Sequence, residues 1–181
     1  MKSFLTLVVC FVATLSAKAD LQMDALTKQM EVTMSGMTLT SQSEAIVSGA
    51  GAISARATAT EDAINASTMT VAQKDAALAM VASCRDSLGT CATYLFAEAT
   101  DELAGKLSIV QGNADYANAD YADAITKYNS AAASFAAASE DLACAALYAL
   151  LAESDLNNVD NFFIAAGLTP PILRVGPTRR P

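Results

Sequence analysis

The residues with the most chemistry to offer in this 181-residue chain are its cysteines, Cys10, Cys84, Cys91 and Cys144. Their use depends on the compartment. Cys10 lies in an apolar run, Phe4–Leu15, that follows Lys2 and ends at Ala17-Lys18-Ala19, an A-x-A cleavage pattern before Asp20. That layout predicts a secretory signal peptide over 1–19, because the run is too short for a bilayer span. Nothing downstream reads as a second span, so the expected product is a soluble extracellular chain starting near Asp20. Cys84, Cys91 and Cys144 remain. In an oxidising compartment an odd number implies one bridge plus one thiol that either stays free or links a disulfide dimer.

Geometry narrows the bridge. Within one helix, residues 84 and 91 lie roughly 10.5 Å apart at 1.5 Å per residue, beyond the roughly 7 Å Cα limit of a disulfide. Cys84–Cys91 therefore needs a sharp turn at Gly89. Cys91 follows the apolar stripe of Leu95, and Cys144 sits between Leu142 and Ala146. Cys91–Cys144 is the favoured pairing and Cys84–Cys144 the alternative.

Other reactive groups are scarce. The chain has no histidine and no tryptophan, which removes Ser-His-Asp and Cys-His catalysis and imidazole ligation of metals. No C-x-x-C is present. Asp115, Asp120 and Asp123 lack the Gly and terminal Glu of an EF-hand loop. No catalytic, cofactor or metal site is expected, and the chain reads as a non-enzyme. Asn65-Ala66-Ser67 is an N-glycosylation sequon, making Asn65 a candidate surface glycan site. Met23, Met30, Met34 and Met37 read as core or as a docking face, and Tyr116, Tyr121 and Tyr128 as helix contacts.

The charge excludes one partner class. Net charge is −8 over the whole chain. Residues 20–168 hold six basic and nineteen acidic side chains, giving −13. Such a body repels phosphate backbones, so nucleic acid is not an expected partner.

The elements that must position these residues read as helices throughout. Alanine dominates and proline is absent before Pro170, and no alternating strand pattern appears. A first helix is expected over about 21–34, ended by Gly36, with Met23, Leu26, Met30 and Met34 as its apolar stripe. A second runs over about 41–66. Thr70-x-x-Gln73 forms a capping box for a third, which either ends at Gly89 or continues to Gly112-Asn113. Beyond Gly89 its stripe is Cys91, Leu95, Leu103, Leu107 and Val110. A long helix over about 117–152 carries Tyr121, Tyr128, Phe135, Leu142 and Leu150 inward, and a short one covers 156–166 before Gly167. The expected fold is all-α, an antiparallel up-down four-helix bundle with a short N-terminal helical extension. It occupies 20–168, with a flexible tail over 169–181.

Several segments together resemble the plant invertase and pectin methylesterase inhibitor family. They are Ala77-Leu78 leading to Cys84 and Cys91, Tyr94, Asp101-Glu102-Leu103, Asp120-Tyr121-Ala122-Asp123-Ala124, and Ser130-Ala131-Ala132 before Cys144. The resemblance covers about residues 40–165. It implies an exported four-helix bundle whose inter-helix disulfide maps onto Cys91–Cys144. The family's N-terminal cysteine pair and the Pro-Lys-Phe triplet of invertase inhibitors are missing. The resemblance implies inhibition of a cell-wall carbohydrate-active enzyme by protein–protein docking, with Thr93, Glu98 and Asp101 as candidate contact positions. The other readings are a structural or surface-coat protein of the extracellular matrix and a carrier of an apolar ligand.

Overall fold

A computed structural model describes the backbone of residues 2–171 and the side chains of residues 16–171. Among them it shows no strand, and three helices: α1 over Lys2–Ala66, α2 over Val71–Ala117 and α3 over Tyr121–Ala165. The all-α expectation holds. Three helices stand where the sequence reading places a four-helix bundle with an extension. The side chains of the expected signal peptide up to residue 15, and the expected tail from 172, lie outside the described residues.

The helix ends have local causes. Thr70 and Gln73 form the expected capping box: Gln73 N donates to Thr70 Oγ1 at 3.3 Å and Thr70 N donates to Gln73 Oε1 at 2.9 Å. These satisfy donors that an N-terminus would otherwise leave orphaned. α2 ends in a tight turn with Ala119 at φ 60° and Asp120 N donating to Asp115 O. α3 stops at Gly167, φ 72°, where Leu168 N donates to Phe163 O at 2.9 Å. This is a left-handed helix stop that glycine adopts without steric cost.

The expected breaks at Gly36 and Gly112 do not occur, because both glycines have a different task, and of the two readings at Gly89 the continuous helix holds. A Cβ on Gly112 would lie 2.6 Å from Tyr128 Cε1, and one on Gly36 would lie 3.0 Å from Phe135 Cζ. Gly105 is tighter still: its Cβ would meet Phe135 Cε1 first, with Cδ1 2.7 Å away. Glycine lets aromatic rings on α3 settle against neighbouring backbones. At Gly89 nothing lies within 4 Å of an added Cβ, and the helix passes through.

A seven-residue repeat governs burial along all three helices. On α1 it runs through Ala25, Val32, Leu39, Ile46, Ile53 and Thr60, and on α2 through Ala77, Cys84, Cys91, Glu98, Gly105 and Gly112. On α3 small residues at Ala124, Ala131, Ala138, Ala145 and Ala152 alternate with Tyr128, Phe135, Leu142 and Leu156. This is the heptad pattern of coiled-coil helices, with positions a and d inward. By length and composition α3 is also long and apolar enough to cross a membrane, with mean hydropathy 1.4 over its best window, 28% of it buried.

The helices contribute to two compact units. Unit 1 comprises residues 1–42 and 97–140. In it the Phe135 ring meets Gly36 of α1 and Gly105 of α2, while Tyr128 is fully buried and donates its hydroxyl to Asn113 Oδ1 at 2.8 Å. Unit 2 comprises residues 43–96 and 141–181. Its core holds Ala57 and Ile64 from α1, Val81 and Cys84 from α2, and Leu156, Val159 and Phe163 from α3.

Candidate functional site

Unit 1 carries the principal feature, an apolar face left exposed among the described residues. Helix direction there follows from three contacts: Gln22 with Tyr116, Gln29 with Asn113, and Thr40 with Glu102. The partner number falls as the α1 number rises, so α1 and α2 are antiparallel. With Leu39 and Gly112 as heptad position d, Thr40 and Asn113 occupy position e, so the e edges of the two helices face each other. Position b adjoins e going round a helix, away from the core. On α1 position b holds Met23, Met30 and Met37, which are 65%, 60% and 70% exposed. On α2 it holds Leu103 and Val110, with Leu107 beside them at position f, all more than half exposed.

Both apolar stripes therefore flank the α1–α2 seam on the same side. The Thr40–Glu102 and Gln29–Asn113 contacts set the height: Met37 falls between Leu103 and Leu107, and Met30 beside Val110. The methionines read as core or as a docking face, and Leu103, Leu107 and Val110 as one stripe with Cys91. The structure turns Ala25, Val32 and Leu39 inward on α1 instead. The reason is the narrow heptad seam, which takes small or branched residues at a and d and leaves the methionines one position outside it.

Polar contacts hold the seam under this face. Glu102 accepts hydrogen bonds from Thr40 and from Lys106, whose Nζ lies 2.8 Å from Oε1. Burial pushes the Glu102 carboxyl up, but the Lys106 and Thr40 hydrogen bonds and the Lys106 charge outweigh it, leaving it below the ordinary 4.5. On the opposite side of α1, between α1 and α3, lies an open groove of about 550 Å³. Met34, Leu39 and Phe135 supply its apolar wall, and Ser35, Thr38 and Ser139 its hydroxyls.

Unit 2 holds charged and aromatic pairs. Arg56 donates to Asp160 Oδ2 at 2.5 Å and to Asn157 at 2.9 Å. Arg85 pairs with Glu61. Thr60 Oγ1 and Asp160 Oδ1 are buried without a hydrogen-bond partner. The rings of Tyr94 and Tyr148 stack with centroids 5.7 Å apart.

The cysteines depart from expectation. Cys84, Cys91 and Cys144 are all free thiols, so the Cys91–Cys144 bridge is not formed. The Tyr94–Tyr148 stack puts those two residues at about one height on antiparallel helices. Cys91 lies three residues to one side of that level and Cys144 four to the other, on the order of 10 Å of helix rise. Cys144 is also half-exposed, while its neighbour Ala145 occupies the core position. Cys84 is a further two turns away, and the continuous α2 rules out Cys84–Cys91. Burial pushes both the Cys84 and the Cys91 thiols above the ordinary 9.0, with the Asp155 charge adding to the shift at Cys84.

The three candidate contact residues differ in exposure. Thr93 is exposed and donates its hydroxyl to Gly89 O at 3.1 Å. Glu98 is 1% exposed, in the core heptad position, and Asp101 is half-buried. Asn65 is exposed in the last turn of α1, its carbonyl accepting from Lys74 Nζ at 2.8 Å. Among the described residues no group of three or more His, Cys, Asp or Glu is placed to hold a metal ion. No protein-family model matches the chain, and no curated protein or solved structure matches it significantly.

Proposed function

We propose that this chain is an exported, non-enzymatic helical protein that works by docking onto another protein surface. The observation that supports it is the apolar face of unit 1. Its six stripe residues, with the partly exposed Leu26 beside them, expose on the order of 800 Å² of apolar surface, against roughly 300–600 Å² for the largest patch on a typical monomer. Preformed helices lose little conformational entropy when they bind, which suits such a role.

The resemblance to invertase and pectin methylesterase inhibitors supplies the specific form: a protein that covers the active-site cleft of a cell-wall carbohydrate-active enzyme. Titrating the purified protein into a pectin methylesterase and an invertase tests it. Dose-dependent loss of activity supports the inhibitor form, and unchanged activity at micromolar excess removes it. A structural or surface-coat role is the second reading, favoured by the half-buried free thiol of Cys144. Non-reducing electrophoresis separates the two: a disulfide dimer or ladder favours assembly, and a clean monomer favours the inhibitor.

A further inference from the structure

We infer that the partner of the unit 1 apolar face is a second copy of this chain, giving a two-fold dimer through the α1–α2 shoulder. The inference rests on the docking reading above and names the partner of that same face. Three observations carry it.

The first is area. On the order of 800 Å² of exposed apolar residue surface matches the ~800 Å² per partner that a stable interface buries. The second is charge. Positions b, e and f of α1 between Met23 and Thr40 hold only Met, Leu and Thr. The matching positions of α2 between Ala99 and Ala114 hold one charge, Lys106, already paired with Glu102 at 2.8 Å. In a chain of net charge −8 this face is neutral, so it offers nothing to steer an oppositely charged partner. It also puts no carboxylate against itself when two copies meet.

The third is period. Met23, Met30 and Met37 recur every seven residues, and so do Leu103 and Val110. A ridge of that period fits the grooves of another helix carrying the same period. A second copy presents both stripes, and a two-fold axis sets methionines of one copy against the Leu103–Val110 ridge of the other. Such an interface is isologous and closes at two copies.

Sedimentation equilibrium of the processed chain under reducing conditions tests this, comparing wild type with Met30→Glu, Leu107→Glu and the control Val47→Glu. Val47 is 53% exposed and lies in unit 2. A wild-type dimer that tightens as salt rises is expected, since screening relieves repulsion between two acidic bodies. Met30→Glu or Leu107→Glu raises its dissociation constant at least tenfold while helix content by circular dichroism stays unchanged, and Val47→Glu leaves it alone. A chain that is monomeric at every concentration overturns the inference. So does a dimer that survives both substitutions, or one that Val47→Glu disrupts equally. Enzyme inhibition is scored separately: a monomer that still inhibits overturns the second copy and leaves the docking reading standing.

Discussion

Replacing Gly105 by alanine should destabilise this protein, although alanine is the better helix former. Gly105 lies inside α2. In an open helix interior, Gly→Ala gains about 1 kcal/mol. At Gly105 the new Cβ would sit 2.7 Å from Phe135 Cδ1 and 2.9 Å from Cζ, well inside an ordinary carbon contact of roughly 3.5–4.0 Å. The ring has little room to retreat, because its Cζ is already seated against the Gly36 backbone, 3.0 Å from where a Cβ would stand. Relief requires the helices to part or the ring to leave its rotamer, an overpacking cost of about 3 kcal/mol at the upper end of the usual range. The net loss is about 2 kcal/mol. Gly89, with nothing within 4 Å of its added Cβ, isolates the propensity effect, so Gly89→Ala should gain about 1 kcal/mol. At roughly 2–4 °C per kcal/mol for a chain of this size, Gly105→Ala lowers Tm by about 4–8 °C and Gly89→Ala raises it by about 2–4 °C. Thermal melts followed by circular dichroism read both. Adding Phe135→Leu to Gly105→Ala should recover part of the loss relative to Phe135→Leu alone, as a double-mutant cycle reports. If Gly105→Ala melts higher than wild type, the close approach of ring and backbone is not what keeps glycine there.

Thr60 is 1% exposed and its hydroxyl has no partner. Thr60→Val keeps the shape and removes the unsatisfied group, so urea denaturation should show about 1 kcal/mol of added stability. The thiols should separate by reactivity. Burial raises the Cys84 and Cys91 pKa values above 9.0, so a disulfide reagent at pH 8 should label half-exposed Cys144 first and the other two only on unfolding. The same shifts set an alkaline limit. Above the ordinary value of 9.0 the unfolded chain loses thiol protons that the folded chain retains. Stability should therefore be intact below pH 9 and fall as pH rises toward the raised folded values. A double Cys84→Ala, Cys91→Ala variant should lose that component of the decline.

Helix type, the Thr70–Gln73 cap and the Gly167 stop are legible in the sequence because each depends on residues only a few positions apart. Residue type alone does not tell a glycine that ends a helix from one that admits a ring. Gly36 and Gly112 read as stops, yet both are continuous helix, since Phe135 and Tyr128 occupy the space a side chain would fill. The same limit applies to the methionines and to Leu103, Leu107 and Val110. Their spacing marks an apolar stripe correctly, but not which of two adjacent stripes faces inward. The structure buries the stripe of Ala25, Val32 and Leu39 and leaves the larger residues outside.

The sequence by itself determined that this chain is helical, acidic, and without histidine-based chemistry, because composition and short-range hydrogen bonding suffice for those properties. Only the tertiary structure decided that three long helices replace a four-helix bundle, that Glu98 is buried, that Cys91 and Cys144 stand apart, and that an apolar face is left open in unit 1. Those outcomes depend on the relative height and rotation of helices joined through distant segments. Sliding one helix by a few residues, or turning it by one heptad position, changes which side chains meet while leaving every local preference satisfied.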